Sequence, residues 1–392
     1  MPSPMLTRRE FAARAALGAM ALGMPRLTGA FEADHLLYVG TYTSDDGSKG
    51  IYQLRMSGVT GALTIEGLAV ETASPSYLTL SANERFVYAV NEVGEIGGKP
   101  TGSVSAFARD MSTGTLRLLG TQLTNGAAPC YVSTDGTRAY VFAANYTGGS
   151  VVAYPILPNG GIGGETSFVQ HVGKGPDAQR QSSPHAHSIV PDPSNRFVLV
   201  ADLGIDRIVV YRFDAKQGSL TPVPASNGVL AAGAGPRHLV FHANGRVVYV
   251  VNELNSTVTA FAYKPASGAL TEFQTLPCIS SATTVKNAPA DIHIHPSGRF
   301  LYLSNRGHDS ISVFGIDAAT AMLRPIEVVP TGGTWPRNFA IDPRGEFLLV
   351  ANQRSDSITS FRIDKQTGRL SSTGQQISMK APVCIRFVIA SA

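Results

Sequence analysis

The stretch SPHAHS (183–188) sets His185 and His187 two residues apart, just ahead of an apolar run. Imidazoles at this spacing can hold a metal, move protons, or sit inertly at the end of a strand. Further along stand Arg237 in GPRHLVFH, Glu253 in VNELNSTV, Arg306 in LYLSNRGHDSI and Arg337 in WPRNFAIDP. One carboxylate, a histidine and several guanidiniums suit the opening of an ester that carries charge. The carboxylate is expected to act as general base on water and His185 as general acid, with the arginines as donors to a developing oxyanion. Strand residues two apart face the same way, so His185 and His187 could share a metal. No third ligand accompanies them, and neither a metal nor any other cofactor is expected.

What could bring residues so far apart in sequence together is a repeat. One unit reads proline, an apolar alternating run, a Gly/Asn/Asp turn, then an aromatic-apolar run ending in Asn. PRHLVFHANGRVVYVVNE (236–253) and PRNFAIDPRGEFLLVANQ (336–353) are clear copies. The opening prolines fall at 75, 129, 184, 236, 289, 336 and 382, and each period holds four strand-like runs. That is the pattern of a propeller blade. HLLYVGTY (35–42) reads as a second strand without a first, and APVCIRFVI (381–389) as a first strand without a second. Paired, they complete a seventh blade and leave no open sheet edge between the ends of the chain. The fold expected is therefore all-β: a seven-bladed β-propeller of four antiparallel strands per blade, over residues 31–392.

Repeats let blades be compared within one chain. The strand-ending Asn recurs as Asn91, Asn145, Asn252, Asn305 and Asn352, which marks it as structural. The residue after it and the residue after the proline both vary, and antiparallel pairing brings the two positions to one mouth of the channel. His185, Arg237, Glu253, Arg306 and Arg337 are expected to converge there. His187 and His293 lie further down their strands; both are taken as substrate-binding, although a buried structural histidine would look the same. Asp291, His293 and Asp309 could orient Arg306 from behind. His242 and His295 occupy turn positions, and turn chemistry explains them.

The net charge of +4 belongs mostly to the first 30 residues, where Arg8, Arg9, Arg14 and Arg26 face Glu10 alone. The remainder carries 28 basic against 27 acidic residues, which argues against a nucleic-acid partner. TRREFAARAALGAMALGMPRLTGA (7–30) places paired arginines before a weakly apolar run and a small-residue site. Residues 1–30 are accordingly read as a twin-arginine-type export signal, and the mature chain as periplasmic or secreted, without a membrane partner. Cys130, Cys278 and Cys384 form no disulfide framework and are expected to be free and buried. Nothing suggests assembly, and a monomer is expected.

YVGTYT (38–43), SPSYL (74–78), SPHAHS, GPRHLVFH, VNELNSTV, DIHIHPSGRFLYLSNRGHDSI (291–311) and WPRNFAIDPRGEFLLVANQ resemble the seven-bladed β-propeller lactonases. That family includes a bacterial 6-phosphogluconolactonase type and a fungal carboxymuconate-lactonising type. The resemblance runs from about residue 35 to the C-terminus. It implies a lactonase acting on a small acidic or sugar-acid lactone, with His185, Glu253, Arg237 and Arg306 as the catalytic group and His187 as the second histidine of its motif. An export signal disfavours a phosphorylated cytosolic metabolite and favours an unphosphorylated sugar-acid lactone. A cycloisomerase closing a dicarboxylate, or a non-catalytic binding propeller, would present much the same mouth.

Overall fold

The computed structural model describes residues 34–280 and 282–389; the expected signal at 1–30 lies outside the described residues. Seven sheets are arranged in chain order, with four antiparallel strands in each. Six blades span 78–123, 129–170, 186–229, 236–277, 288–330 and 336–378. The seventh joins Pro382–Phe387 to the strands between residues 35 and 71. Its closure is an antiparallel ladder in which Leu37 faces Phe387 and Gly40 faces Cys384. The 186–229 blade adds a short fifth strand, Gly228–Val229, against Arg207 and Ile208. Helix among the described residues amounts to three single 3-10 turns.

Burial differs from strand to strand for a geometric reason. The second strand of a blade is covered on both faces by neighbouring blades, so Val247–Asn252 and Phe347–Asn352 are buried throughout. Such strands read as continuous apolar runs rather than alternating ones. The outermost strands, such as Leu116–Leu123, have one side in water and are largely exposed. Blades are also locked side to side. Tyr38, Tyr88, Tyr249 and Tyr302 each donate their hydroxyl to a turn carbonyl of the next blade, at Gly114, Gly160, Ala321 and Gly368. The recurring asparagines satisfy hydroxyls of the third strand, as in Asn305 with Ser310 and Ser312, or Asn252 with Thr257 and Thr259.

One irregularity recurs at the start of the innermost strands. Pairing slips between Pro129 and Tyr131, Pro236 and His238, and Pro336 and Asn338. The skipped residues, Cys130, Arg237 and Arg337, are bulge residues released from the ladder and turned towards the axis. In the third blade the slip falls between Ala186 and Ser188. Ala186 faces Asp202 as Pro236 faces Asn252, so Ala186, not Pro184, holds the blade-opening position. This corrects the repeat alignment: His187 is the counterpart of Arg237, and His185 stands two residues earlier, on the rim.

Candidate active site

Glu253 lies at the centre of the mouth, at the end of the second strand of its blade. Its Oε2 sits 2.6 Å from Arg306 Nη2 and 3.1 Å from Arg237 Nε. Its Oε1 sits 2.6 Å from Nη2 of Arg180. Arg306 is held from behind by its Nε–H on the Ala288 carbonyl, 2.9 Å, and Arg237 by Nη1 on the Ala290 carbonyl, 2.5 Å. The Arg237 Nε–H, although close to Oε2, makes no well-directed hydrogen bond. Burial by itself would raise the Glu253 pKa. The charges of Arg306, Arg237 and Arg180 outweigh that and hold it well below the usual carboxylate range. Such a carboxylate is a weak base. Glu253 is thus a buried anion that gathers three guanidiniums.

His185 stands on the rim of the same mouth. Its backbone N–H is fixed by Asp202 Oδ1 at 2.7 Å, and its ring stacks on Tyr146 at 4.6 Å. Nδ1 lies 2.9 Å from the Tyr146 carbonyl oxygen. A carbonyl only accepts, so Nδ1 carries the hydrogen, and the lone pair of the neutral tautomer this selects is on Nε2. In its neutral form this tautomer leaves Nε2 able to accept a proton. Tyr146 ties the two halves together, because its hydroxyl accepts from Arg180 Nη2 at 3.1 Å. Asp202 itself is anchored by His171, 2.6 Å, which in turn accepts from the Tyr211 hydroxyl, 2.6 Å. Asp, rather than the Asn of other blades, stands here because the position must accept from two backbone N–H groups and an imidazole.

Behind Arg237 lies a buried polar chain. His238 Nδ1 donates to Asp291 Oδ1 at 2.8 Å, and its Nε2 is 3.3 Å from Arg237 Nη1. Asp291 Oδ2 accepts from His293 Nε2 at 3.0 Å and from the Asn338 amide. Burial and the Arg237 charge push the His238 pKa down to about 3, so the ring is neutral. Asp291, whose pKa burial would raise, is held well below the usual range by His293 and His238. Asp291 and His293 therefore back Arg237 through His238 and do not orient Arg306 as expected. Asp309 holds the backbone N–H groups of Gly307 and Trp335, and the Trp335 ring lies 5.4 Å from the Arg306 guanidinium.

The remaining expected residues divide between the two ends of the channel. Arg337 reaches the mouth, 3.5 Å from Glu92 and 5.2 Å over the Tyr42 ring. His187 is buried below His185, with Nδ1 3.6 Å from Cys130 Sγ and its ring 5.2 Å from that of His238. Burial and the Arg237 charge keep it neutral, with a pKa well below the ordinary value. Beneath Arg237 the channel narrows to a cavity of about 10 Å³ between Ser76, Cys130, His238 and Asn338. His293 lies beyond that plug, in a separate cavity of about 260 Å³ with Tyr77 and Tyr131. It is not brought to the mouth, because it stands near the far end of its strand. The three cysteines are free and buried.

Two residues of the cluster were not foreseen. Arg180 belongs to the 171–185 loop, which has no counterpart in the repeat, although DAQRQSSPHAHS places it five residues before His185. His238 follows Arg237 directly, and strict alternation would turn it away from the axis. The bulge turns both inward.

A family model described as "Lactonase, 7-bladed beta-propeller" matches residues 36–387. A Bacillus subtilis (strain 168) 6-phosphogluconolactonase is 37% identical over 351 residues, covering 90% of this chain and 97% of that protein. The solved Pseudomonas aeruginosa periplasmic gluconolactonase superposes with a TM-score of 0.85 at 33% identity, covering 92% of this chain and 100% of that one. A solved Bacteroides fragilis NCTC 9343 structure gives a TM-score of 0.85 at 38% identity, covering 92% and 99%.

Proposed function

This chain belongs to the family of seven-bladed β-propeller lactonases, and from that membership we propose that its lactone-hydrolysing chemistry runs at the arginine-lined mouth between His185 and Glu253. The observation that carries this assignment is the contact of His185 Nδ1 with the Tyr146 carbonyl, 2.9 Å, which directs Nε2 away from that carbonyl, on a ring stacked against the tyrosine whose hydroxyl accepts from Arg180. Water bound at Nε2 gives up a proton to it and forms a C–O bond to the lactone carbonyl carbon. The carbonyl oxygen becomes an oxyanion facing Arg237 and Arg306, whose positions are fixed before substrate arrives. On collapse the ring C–O bond breaks, and the leaving alkoxide takes the proton back from the His185 imidazolium. The product is the open hydroxy acid, and the enzyme returns to its starting protonation. A placed base of this kind contributes roughly 10²–10⁴-fold, and each preorganised donor about 10²–10³-fold.

The test is lactone hydrolysis followed by pH-stat on a panel of sugar-acid lactones. His185→Ala should lower kcat by about 10²–10⁴ with a much smaller change in KM. A kcat in His185→Gln equal to that of the wild type would remove the histidine from the chemistry.

The compartment bears on the substrate. We propose that residues 1–30 export the chain through a twin-arginine route, and that its substrate is a small acidic or sugar-acid lactone met outside the cytoplasm. The paired Arg8–Arg9 and the similarity to a periplasmic gluconolactonase support this. Replacing both arginines by lysine should retain the protein in the cytoplasmic fraction, and unchanged export would exclude the route.

A further inference from the structure

The three guanidiniums around Glu253 differ in how freely they could turn to a ligand. Side-chain exposure is 1% for Arg237, 6% for Arg306 and 40% for Arg180. Arg237 and Arg306 are each tied to a backbone carbonyl as well as to Glu253 Oε2, so moving either would strand buried donors. Arg180 has no such tie on its side chain. Its contacts are the buried Glu253 Oε1 and the Tyr146 hydroxyl, both side-chain groups.

The backbone under Arg180, by contrast, is held firmly. Asp177 Oδ1 accepts from the N–H groups of Gln179 and Arg180, and Gln181 N–H closes the turn on the Asp177 carbonyl at 2.7 Å. The fully buried Gln181 amide donates to the Leu203 carbonyl and to Asp206 Oδ1. Asp206 also accepts from the N–H groups of Gly233 and Gly235, immediately before Pro236 and Arg237. One aspartate thus fixes the loop that carries Arg180 to the loop that delivers Arg237. A rigid base with a half-exposed cationic tip is the construction of a ligand-reading residue rather than of a structural ion pair.

We propose that Arg180 is the specificity-determining residue of the mouth. It exchanges Glu253 Oε1 for an anionic substituent of the lactone, phosphate or carboxylate, and so favours charged lactones over neutral ones. The exchange keeps the Arg180 guanidinium paired with an anion, while Arg237 and Arg306 keep Glu253 Oε2 and stay in place for the oxyanion. A neutral lactone leaves Arg180 on Glu253 and gains nothing from it. The proposal rests on the assignment of lactone hydrolysis to this mouth.

The experiment compares wild type, Arg180→Ala and Arg180→Lys on three probes sharing one ring: glucono-1,5-lactone, its 6-phosphate, and the corresponding 6-carboxylate. Arg180→Ala should raise KM for the charged probes about 10- to 100-fold, as expected for a lost charge-assisted contact, against a roughly two- to threefold effect on the neutral one. Arg180→Lys should recover part of the discrimination. Loss confined to the phosphate or to the carboxylate probe identifies which anion is read, and either supports the proposal. An equal loss on all three probes, no loss on any, or a wild type that prefers the neutral lactone overturns it. Failure of the underlying assignment looks different: His185→Ala would then leave hydrolysis of every probe unchanged, whatever Arg180 does.

Discussion

The role proposed for His185 rests on one backbone carbonyl, and the Glu253 carboxylate is engaged by three side chains. Both outcomes depend on hydrogen-bond partners that a residue type does not reveal. A carboxylate between arginines looks like a base in sequence; in three dimensions its lone pairs are taken and its pKa is held well down by Arg306, Arg237 and Arg180, against the opposing effect of burial. The two roles give opposite pH signatures. If Glu253 only organises the arginines, Glu253→Gln should lower kcat/KM by about 10²-fold, because an amide cannot hold three guanidiniums, yet leave the acid limb of the kcat profile where it was. That limb belongs to whichever group takes the proton from water, since it must be unprotonated to do so and activity falls as it is protonated. Disappearance of the limb in Glu253→Gln would restore the carboxylate as base.

At the scale of elements, the blades were legible because each strand–turn–strand unit repeats its own punctuation, and seven copies outvote local noise. Placement within a blade was less so. Pro184 looks like a blade-opening proline, but the ladder puts Ala186 there, since Asp202 pairs with Ala186. Sequence spacing cannot report that shift, because the 171–185 loop absorbs the two extra residues. Arg180 was invisible for the same reason: comparison between blades weighs only positions that recur. His238 was hidden by the bulge, which breaks the two-residue period on which inward and outward are decided. The inter-blade tyrosine contacts, in turn, show a repeat that is imperfect in a testable way. Three of the acceptors are glycines with positive φ, Gly114, Gly160 and Gly368, whereas the fourth is Ala321 at φ 58°. An L-residue there is strained by about 1 kcal/mol, offset in part by the greater freedom glycine has when unfolded. Ala321→Gly should therefore stabilise the protein by roughly 0.5 kcal/mol in urea unfolding, keeping the Tyr249 hydroxyl on the same carbonyl. A loss of stability would show that the alanine methyl contributes more through packing than it costs in strain.

For the molecule as a whole, the interior beneath the mouth is lined by buried groups that cannot gain protons without loss. His187 and His238 are buried beside Arg237, and both are neutral when folded, the latter with a pKa of about 3. Their neighbours are cationic or polar: Arg237 and Arg337 from two blades and Cys130 from a third, with Asp291 as the one carboxylate on His238. Unfolded, each ring takes up a proton near pH 6.5. The folded pKa values are depressed, so the contribution to stability is complete above about pH 6.5 and is lost as pH falls towards the folded values. Over that range the slope approaches about 1.4 kcal/mol per pH unit for each proton that only the unfolded chain takes up. Glu253 and Asp291 act in the same direction but later, below about pH 4, where unfolded carboxylates begin to protonate. Thermal unfolding should therefore show a melting temperature that declines already from about pH 6.5 and steepens below about pH 4. His187→Gln, which removes one of the two rings, should roughly halve the slope between pH 6 and 4.5 whatever it does to the absolute melting temperature. A melting temperature that stays level down to pH 4.5 would mean that these histidines meet protons in the folded channel, and that the interior beneath the mouth is open to water.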